Sequence, residues 1–153
     1  MKEKYKKFQD LSLEEKKEVL NWRNHPDIRK WMYNTEEITL ENHLKFIDSL
    51  SEKNDKIYLK VNDLGVVNFS VYNSIAELGI HKNPAKKGVG KRLLKFAIDY
   101  AFNELNTEKI ILYVFEDNMK AINLYKSFGF KETDKKDNLI KMELINENRQ
   151  SRH

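Results

Sequence analysis

The stretch "NPAKKGVGKRLL", Asn83 to Leu94, decides the fold. It sets two glycines one residue apart, rings them with lysines and runs directly into an apolar-periodic segment. Before it, "IAELGIHK" (75–82) reads as a strand. After it Val89, Leu93, Ala97, Tyr100 and Ala101, with Leu94, Ile98 and Leu105 beside them, recur at period 3.6, which predicts a helix over 88–105. A loop that opens a helix presents amides with no partner inside the helix, here those of Lys87, Gly88, Val89, Gly90 and Lys91. Without side chains at 88 and 90 a bulky anion can approach that backbone, and the helix dipole favours negative charge there. A phosphate or diphosphate suits the loop; as a bare pattern, so does an ordinary solvated turn.

Two phosphate motifs are excluded. A Walker A loop needs glycine at 85 and Ser or Thr at 92, where the chain has Ala85 and Arg92. A dinucleotide fingerprint needs a third glycine at Leu93 and a parallel βαβ start. What precedes the loop is instead a run of short strands, "KIYLKV", "GVVNFSVY" and "IAELGIHK", whose spacing predicts an antiparallel meander turning at Asn73-Ser74. Further out, "SLEEKKEVLNWRN" opens a helix with Ser12 and Glu15 at capping-box spacing, and His25-Pro26 ends it. "LENHLKFIDSL" fits a second helix with Leu40, Leu44, Ile47 and Leu50 on one face. Downstream, "KIILYVF" has the continuous apolar character of a strand buried on both faces. A helix "NMKAINLYKSF" follows, with Asn118 as N-cap and Gly129 at its end, and then a closing hairpin "GFKET"/"LIKMELI".

At 153 residues the chain predicts one domain, taken as 1–145, with 146–153 a flexible tail. There is no cysteine, which removes disulfides, thiolate metal sites and a thiol nucleophile. The four histidines show no ligand spacing, so no metal is expected. A net charge of +4 with interleaved signs points to small anions rather than nucleic acid. Neither a membrane span nor a signal segment is apparent, so a cytoplasmic protein is expected. The closing hairpin offers a generic edge for a homodimer.

Strand, glycine loop, helix, buried strand and then "EDNMKAINLYKSFGF" resembles, over about Leu59 to Ile145, the GCN5-related N-acetyltransferase (GNAT) family. That resemblance implies an α/β (α+β) fold with a mixed, mostly antiparallel sheet, splayed between its fourth and fifth strands and flanked by about four helices. It implies acetyl-coenzyme A in the splay: pantetheine along the backbone near Ile80 and Lys82, diphosphate on the amides of 87–91, and Asn118 on the pantetheine. Ala85 stands where the family usually has Gln or Arg, with Lys86 or Lys87 to compensate.

On spacing alone Tyr125 is a core aromatic; the resemblance puts it beside the thioester sulfur as general acid. Glu77 is the carboxylate for the amine's proton, directly or through water. His81 is a second-rank base or substrate contact, and Asn68 and Ser70 are candidates to orient a water.

The element "RNHPDIRKWMY" with "HLKFI" is similar to the N-acetyltransferases of pseudaminic acid biosynthesis, which modify flagellin sugars in bacteria. This implies a UDP-linked 4-amino-4,6-dideoxy-N-acetyl-altrosamine as acceptor, Met32 and Tyr33 walling its methyl group, and Arg23 and His43 meeting its diphosphate. A protein N-terminus, a small amine, or acyl-coenzyme A binding without catalysis stay open as alternatives.

Overall fold

The computed structural model describes residues 3–147. In chain order it contains β1 (Tyr5–Lys7), a 3-10 turn, α1 (Leu13–Asn24), the single-turn α2 (Pro26–Arg29), α3 (Leu40–Leu50), β2 (Lys56–Val61), β3 (Gly65–Tyr72) and β4 (Ile75–Lys82). Then follow α4 (Gly90–Asp99) with a π-helical last turn, β5 (Lys109–Phe115), α5 (Met119–Ser127), β6 (Lys131–Lys136) and β7 (Leu139–Ile145). They form one seven-stranded sheet of order β1-β2-β3-β4-β5-β7-β6. Only β4 and β5 run parallel.

The local signals work as their chemistry requires. Ser12 and Glu15 close a reciprocal capping box on α1. The two-residue turn Asn73-Ser74 places both residues at positive φ, 49° and 62°, the geometry whose twist matches a β-hairpin. Asn118 caps α5, and Gly129 ends it at φ 96°.

Three expectations need correction. The long helix begins at Gly90 rather than Gly88, because Gly88 sits at φ 70°, which a right-handed helix cannot use. On α3 the inward face carries His43, Ile47 and Leu50, while Leu40 is exposed. Asn146, expected in the tail, is buried, with its side-chain amide donating to the Thr107 carbonyl at 2.9 Å and its backbone N–H to Glu108. The rest of the expected tail from residue 148 lies outside the described residues.

The sheet buries both faces, unequally. Against one face pack α4 and α5, where Val67, Phe69, Leu78, Ile110 and Leu112 meet Leu93, Leu94, Ala97 and Ile122. Against the other, α1 and α3 cover Val66 with Trp22, Ile47 and Leu50. That second cover stops short of β5 and β7, and Tyr72, Tyr113 and Ile145 stand exposed there. Among the described residues no helix is long and apolar enough to cross a membrane.

Candidate active site

The decisive feature is where two strands part. β4 pairs with β5 at only three positions, Ile75–Lys109, Ala76–Ile110 and Glu77–Ile111, yet β4 continues to Lys82 on β3 alone. From Leu78 onward its β5 side therefore offers backbone groups without a strand partner, and such groups need a hydrogen-bonding occupant. Ile80 and Lys82 lie on this free edge. Ile80 packs its side chain into the α4/α5 core, and Lys82 donates from Nζ to the Lys86 carbonyl at 2.9 Å, bracing the next loop.

That loop is held by Asn83. Its buried side chain donates to the Asp63 carbonyl at 2.9 Å and accepts from the Ala85 amide at 3.0 Å, while its carbonyl accepts from Lys86 N–H. Lys86 is ion-paired with Asp63 at 2.9 Å, which leaves Lys87 as the loop's exposed lysine to compensate for Ala85. The first intrahelical bond runs from Leu93 N–H to Val89 O, so the first-turn amides are those of Val89, Gly90, Lys91 and Arg92. Lys87 and Gly88 are loop residues, and Arg92 is an amide the sequence reading missed.

No side chain caps this helix end. Around the missing side chain of Gly88 nothing lies within 4 Å, so an anion can come close. Gly90 is different. A Cβ there would stand 3.0 Å from Leu124 Cδ2, so its smallness serves the α4–α5 contact. Val89 puts its side chain in the core and has only its backbone to offer.

Tyr125 of α5 is buried against Phe130, ring centroids 5.8 Å apart. Burial pushes its phenol up to about 12. Its hydroxyl has no hydrogen-bond partner among the described residues, and it is not sealed: among them the one sealed side-chain polar atom without a partner is His81 Nε2. Asn118 accepts the Ala121 amide on Oδ1 at 3.4 Å.

On the opposite face of the sheet stand Glu77, Gly79 and His81, with their β3 partners Ser70, Asn68 and Val66. Ser70 accepts from Lys56 Nζ at 2.8 Å. The Asn68 amide lies across Gly79, within 2.6 Å of where a Cβ would be, so any side chain at 79 would displace Asn68. Tyr33 reaches over from the loop after α2 and meets Phe115 edge-on at 6.1 Å. Its phenol is raised by burial first and then by the Glu77 charge, which places the expected methyl wall and the expected base together. Met32 beside it is half-buried.

His81 is half-buried as a residue, but its Nε2 is sealed from water and has no partner among the described residues, and burial, then the nearby Arg23, lowers the ring to about 4. A neutral imidazole of that acidity is a poor base at neutral pH.

Arg23 and His43 are not where a shared phosphate contact needs them. Arg23 donates from Nη2 to the Asn34 carbonyl at 2.7 Å, with Nη1 3.5 Å from the Glu36 carbonyl. His43 is buried, edge-on to Phe8, and its Nε2–H donates to the Lys16 carbonyl at 2.8 Å. Lys16 lies two turns of α1 before Arg23, about 10 Å away. His43 thus joins α3 to α1; a histidine at an inward helical position that bonds a backbone carbonyl of the facing helix is a core residue. Asn24, missed in the sequence, exchanges two 2.8 Å bonds with the backbone of Ile38 and, with Arg23, ties down the segment that carries Tyr33. The "RN" of Arg-Asn-His-Pro was the available signal.

The sequence model of the acetyltransferase (GNAT) family matches residues 16–130. The chain belongs to that family. Two acetyltransferases PseH of Campylobacter jejuni, from strains 81-176 and NCTC 11168, are 37% and 39% identical to it over 132 residues, 83% of each chain. The crystal structure of Campylobacter jejuni N-acetyltransferase PseH in complex with acetyl coenzyme A superposes with a TM-score of 0.78 at 28% identity, covering 94% of this chain and 98% of that one. Spermidine N-acetyltransferase of Vibrio cholerae, with CoA and spermine, shares the GNAT fold at a TM-score of 0.81 and 20% identity, covering 96% of this chain and 97% of that one.

Proposed function

We propose that this GNAT chain transfers the acetyl group of acetyl-coenzyme A to the C4 amine of a UDP-linked 4-amino-4,6-dideoxy-N-acetyl-altrosamine, a step in pseudaminic acid biosynthesis, a reading that its likeness to the acetyltransferases PseH supports. The observation that carries the reading is the parting of β4 and β5 at Glu77, which joins an open backbone edge to a polar sheet face at one point. The residues present fit the donor: an uncapped α4 start, open space at Gly88 and the free edge of 78–82 suit its diphosphate and its amide-bearing arm. When bound, the donor supplies an activated thioester.

This chain's residues do the rest. Glu77, at the vertex, takes a proton from the acceptor amine directly or through a water held by Ser70 and Asn68. The amine then attacks the thioester carbonyl, polarised by a backbone N–H near Ile80. Tyr125, which keeps its proton at any ordinary pH, donates to the departing sulfur. With no cysteine in the chain, direct attack in a ternary complex needs no acyl-enzyme.

A polyamine acceptor is the second reading, favoured by 46% identity over 46 residues to a spermidine N(1)-acetyltransferase of Vibrio cholerae. That segment covers 30% of this chain, and a polycation would have to approach a face bearing Lys56 and Arg23. The test is an acetylation assay with the UDP-amino sugar, spermidine and peptide N-termini side by side. Turnover of the sugar nucleotide at the highest kcat/KM is expected; preference for spermidine overturns the assignment, and acetylation of the enzyme without acceptor overturns direct attack.

A further inference from the structure

The acceptor face carries a cation that the candidate site leaves unused. Lys56, the first residue of β2, stands directly across from Ser70, and Ser70 directly across from Glu77. Directly opposed residues share a face, so the row Lys56, Ser70, Glu77 crosses it in two strand spacings, about 10 Å. The Lys56 Nζ leans along this row to bond Ser70 Oγ at 2.8 Å.

Beyond Lys56 the sheet gives way to a cavity. β1 stops pairing with β2 at Lys7 and Leu59, and the chain leaving α3 turns in alongside, enclosing about 310 Å³ lined by Lys7, Lys53, Lys56, Gln9, Ser51 and Asn54 among others. No carboxylate lines it. Among the described residues Lys7, Lys53 and Lys56 form no ion pair, whereas Lys6, Lys60, Lys86, Lys109 and Lys135 each face a carboxylate. Lysines at a hollow without a counter-ion, its walls shared between polar groups and Leu50, Ile57 and Tyr58, attract an anion; Lys7 shares the Leu59 face, so Lys53 and Lys56 are the two on the acceptor side, and Lys56, being half-buried, is the one whose charge is least screened by water. The two side chains first expected to meet the acceptor's diphosphate are otherwise engaged, Arg23 with the carbonyls of 34 and 36 and His43 with Lys16.

We propose that Lys56, with Lys53 behind it, receives the diphosphate of the acceptor, so that the acceptor lies across the sheet from its amine at Glu77, past Ser70, to the end of α3. The proposal rests on the nucleotide-sugar reading above. A pyranose followed by its phosphates has the reach to bridge two strand spacings, and Ser70 sits midway as a hydroxyl contact.

The test compares the UDP-linked amino sugar with the same sugar as an uncharged methyl glycoside, in wild type, Lys56→Gln, Lys53→Gln, the double variant and Lys56→Arg, with thermal midpoints to check folding. In the double variant kcat/KM for the nucleotide sugar should fall roughly 10- to 100-fold, the worth of charge-assisted bonds to phosphate. The glycoside should be acetylated as before, KM for acetyl-coenzyme A should not move, and Lys56→Arg should keep most of the rate. If the wild type prefers the nucleotide sugar and the Gln variants keep that preference, the cavity assignment is overturned. Equal losses on both acceptors would also overturn it, by making Lys56 structural. A wild type indifferent to the nucleotide would instead bring down the nucleotide-sugar reading, and the cavity assignment with it.

Discussion

On one side of the parted strands, the loop 83–89 and the start of α4 are fixed by main-chain geometry and by one buried asparagine, Asn83, whose side chain and backbone tie residues 85–86 of the loop to residues 63–64 between β2 and β3. On the other side the acceptor face is assembled from side chains on β3 and β4, beneath the segment 31–38 that Arg23 and Asn24 hold from α1. The first half presents amides, which every sequence carries, and needs only glycine and a helix start to aim them. The second depends on which side chain occupies each alternate strand position. Donor binding should therefore tolerate side-chain changes that acceptor chemistry does not, and substitutions can break that contrast or sharpen it.

The largest effect is expected where the halves meet. Tyr125→Phe keeps the ring against Phe130 and removes the hydroxyl. Turnover should drop roughly 10²- to 10⁴-fold with acetyl-coenzyme A affinity and thermal midpoint held. Unchanged kcat would remove the acid role and return Tyr125 to the core. Glu77→Gln, at the vertex, should lower kcat about 100-fold and leave donor binding by calorimetry intact. If donor affinity fell instead, the vertex would belong to the donor half and the two-sided description would fail.

That asymmetry also governs what could be read from sequence. Period 2 and period 3.6 placed the meander and α4, because each buries a continuous stripe; the apolar run placed β5, although Tyr113 is exposed and the strand is not buried on both faces as expected, and the Ser12/Glu15 and Asn118 caps fall where the spacing put them. The turn into α4 was legible for the same reason: a glycine at φ 70° before an uncapped helix is a local fact. His43 was misplaced because the face a histidine takes depends on a tertiary partner, here the Lys16 carbonyl 27 positions away. The roles of Gly88 and Gly90 were merged because sequence shows two missing side chains and not what stands beside them.

His81 tests the acceptor half by acid. Its folded value, about 4, lies below the ordinary 6.5 because the fold accepts only the neutral ring, with burial the main cause and Arg23 the second. The stability this represents is fully present above pH 6.5 and is lost as pH falls toward 4. Between pH 7 and pH 4 the wild type should lose about 3 kcal/mol more than His81→Gln, as measured by denaturant midpoints at the two pH values. Parallel losses would mean that the ring takes up a proton without cost, so that water reaches it.

The two glycines sharpen the donor half with the smallest effects, and in opposite senses. At Gly88 a methyl group meets no atom within 4 Å, so the cost is conformational: an alanine held at φ 70° loses about 1 kcal/mol. The same methyl would project into space assigned to the diphosphate, so Gly88→Ala should also weaken acetyl-coenzyme A binding severalfold. At Gly90 the backbone is helical, and alanine gains up to about 1 kcal/mol in propensity against a contact of 3.0 Å with the movable end of Leu124. Gly90→Ala should leave unfolding free energy nearly unchanged and donor affinity with it. Were Gly90→Ala the variant that lost donor affinity, the diphosphate would have to sit two residues further along, over the helix start itself, and the loop at Gly88 would be only the hinge that leads the chain into α4.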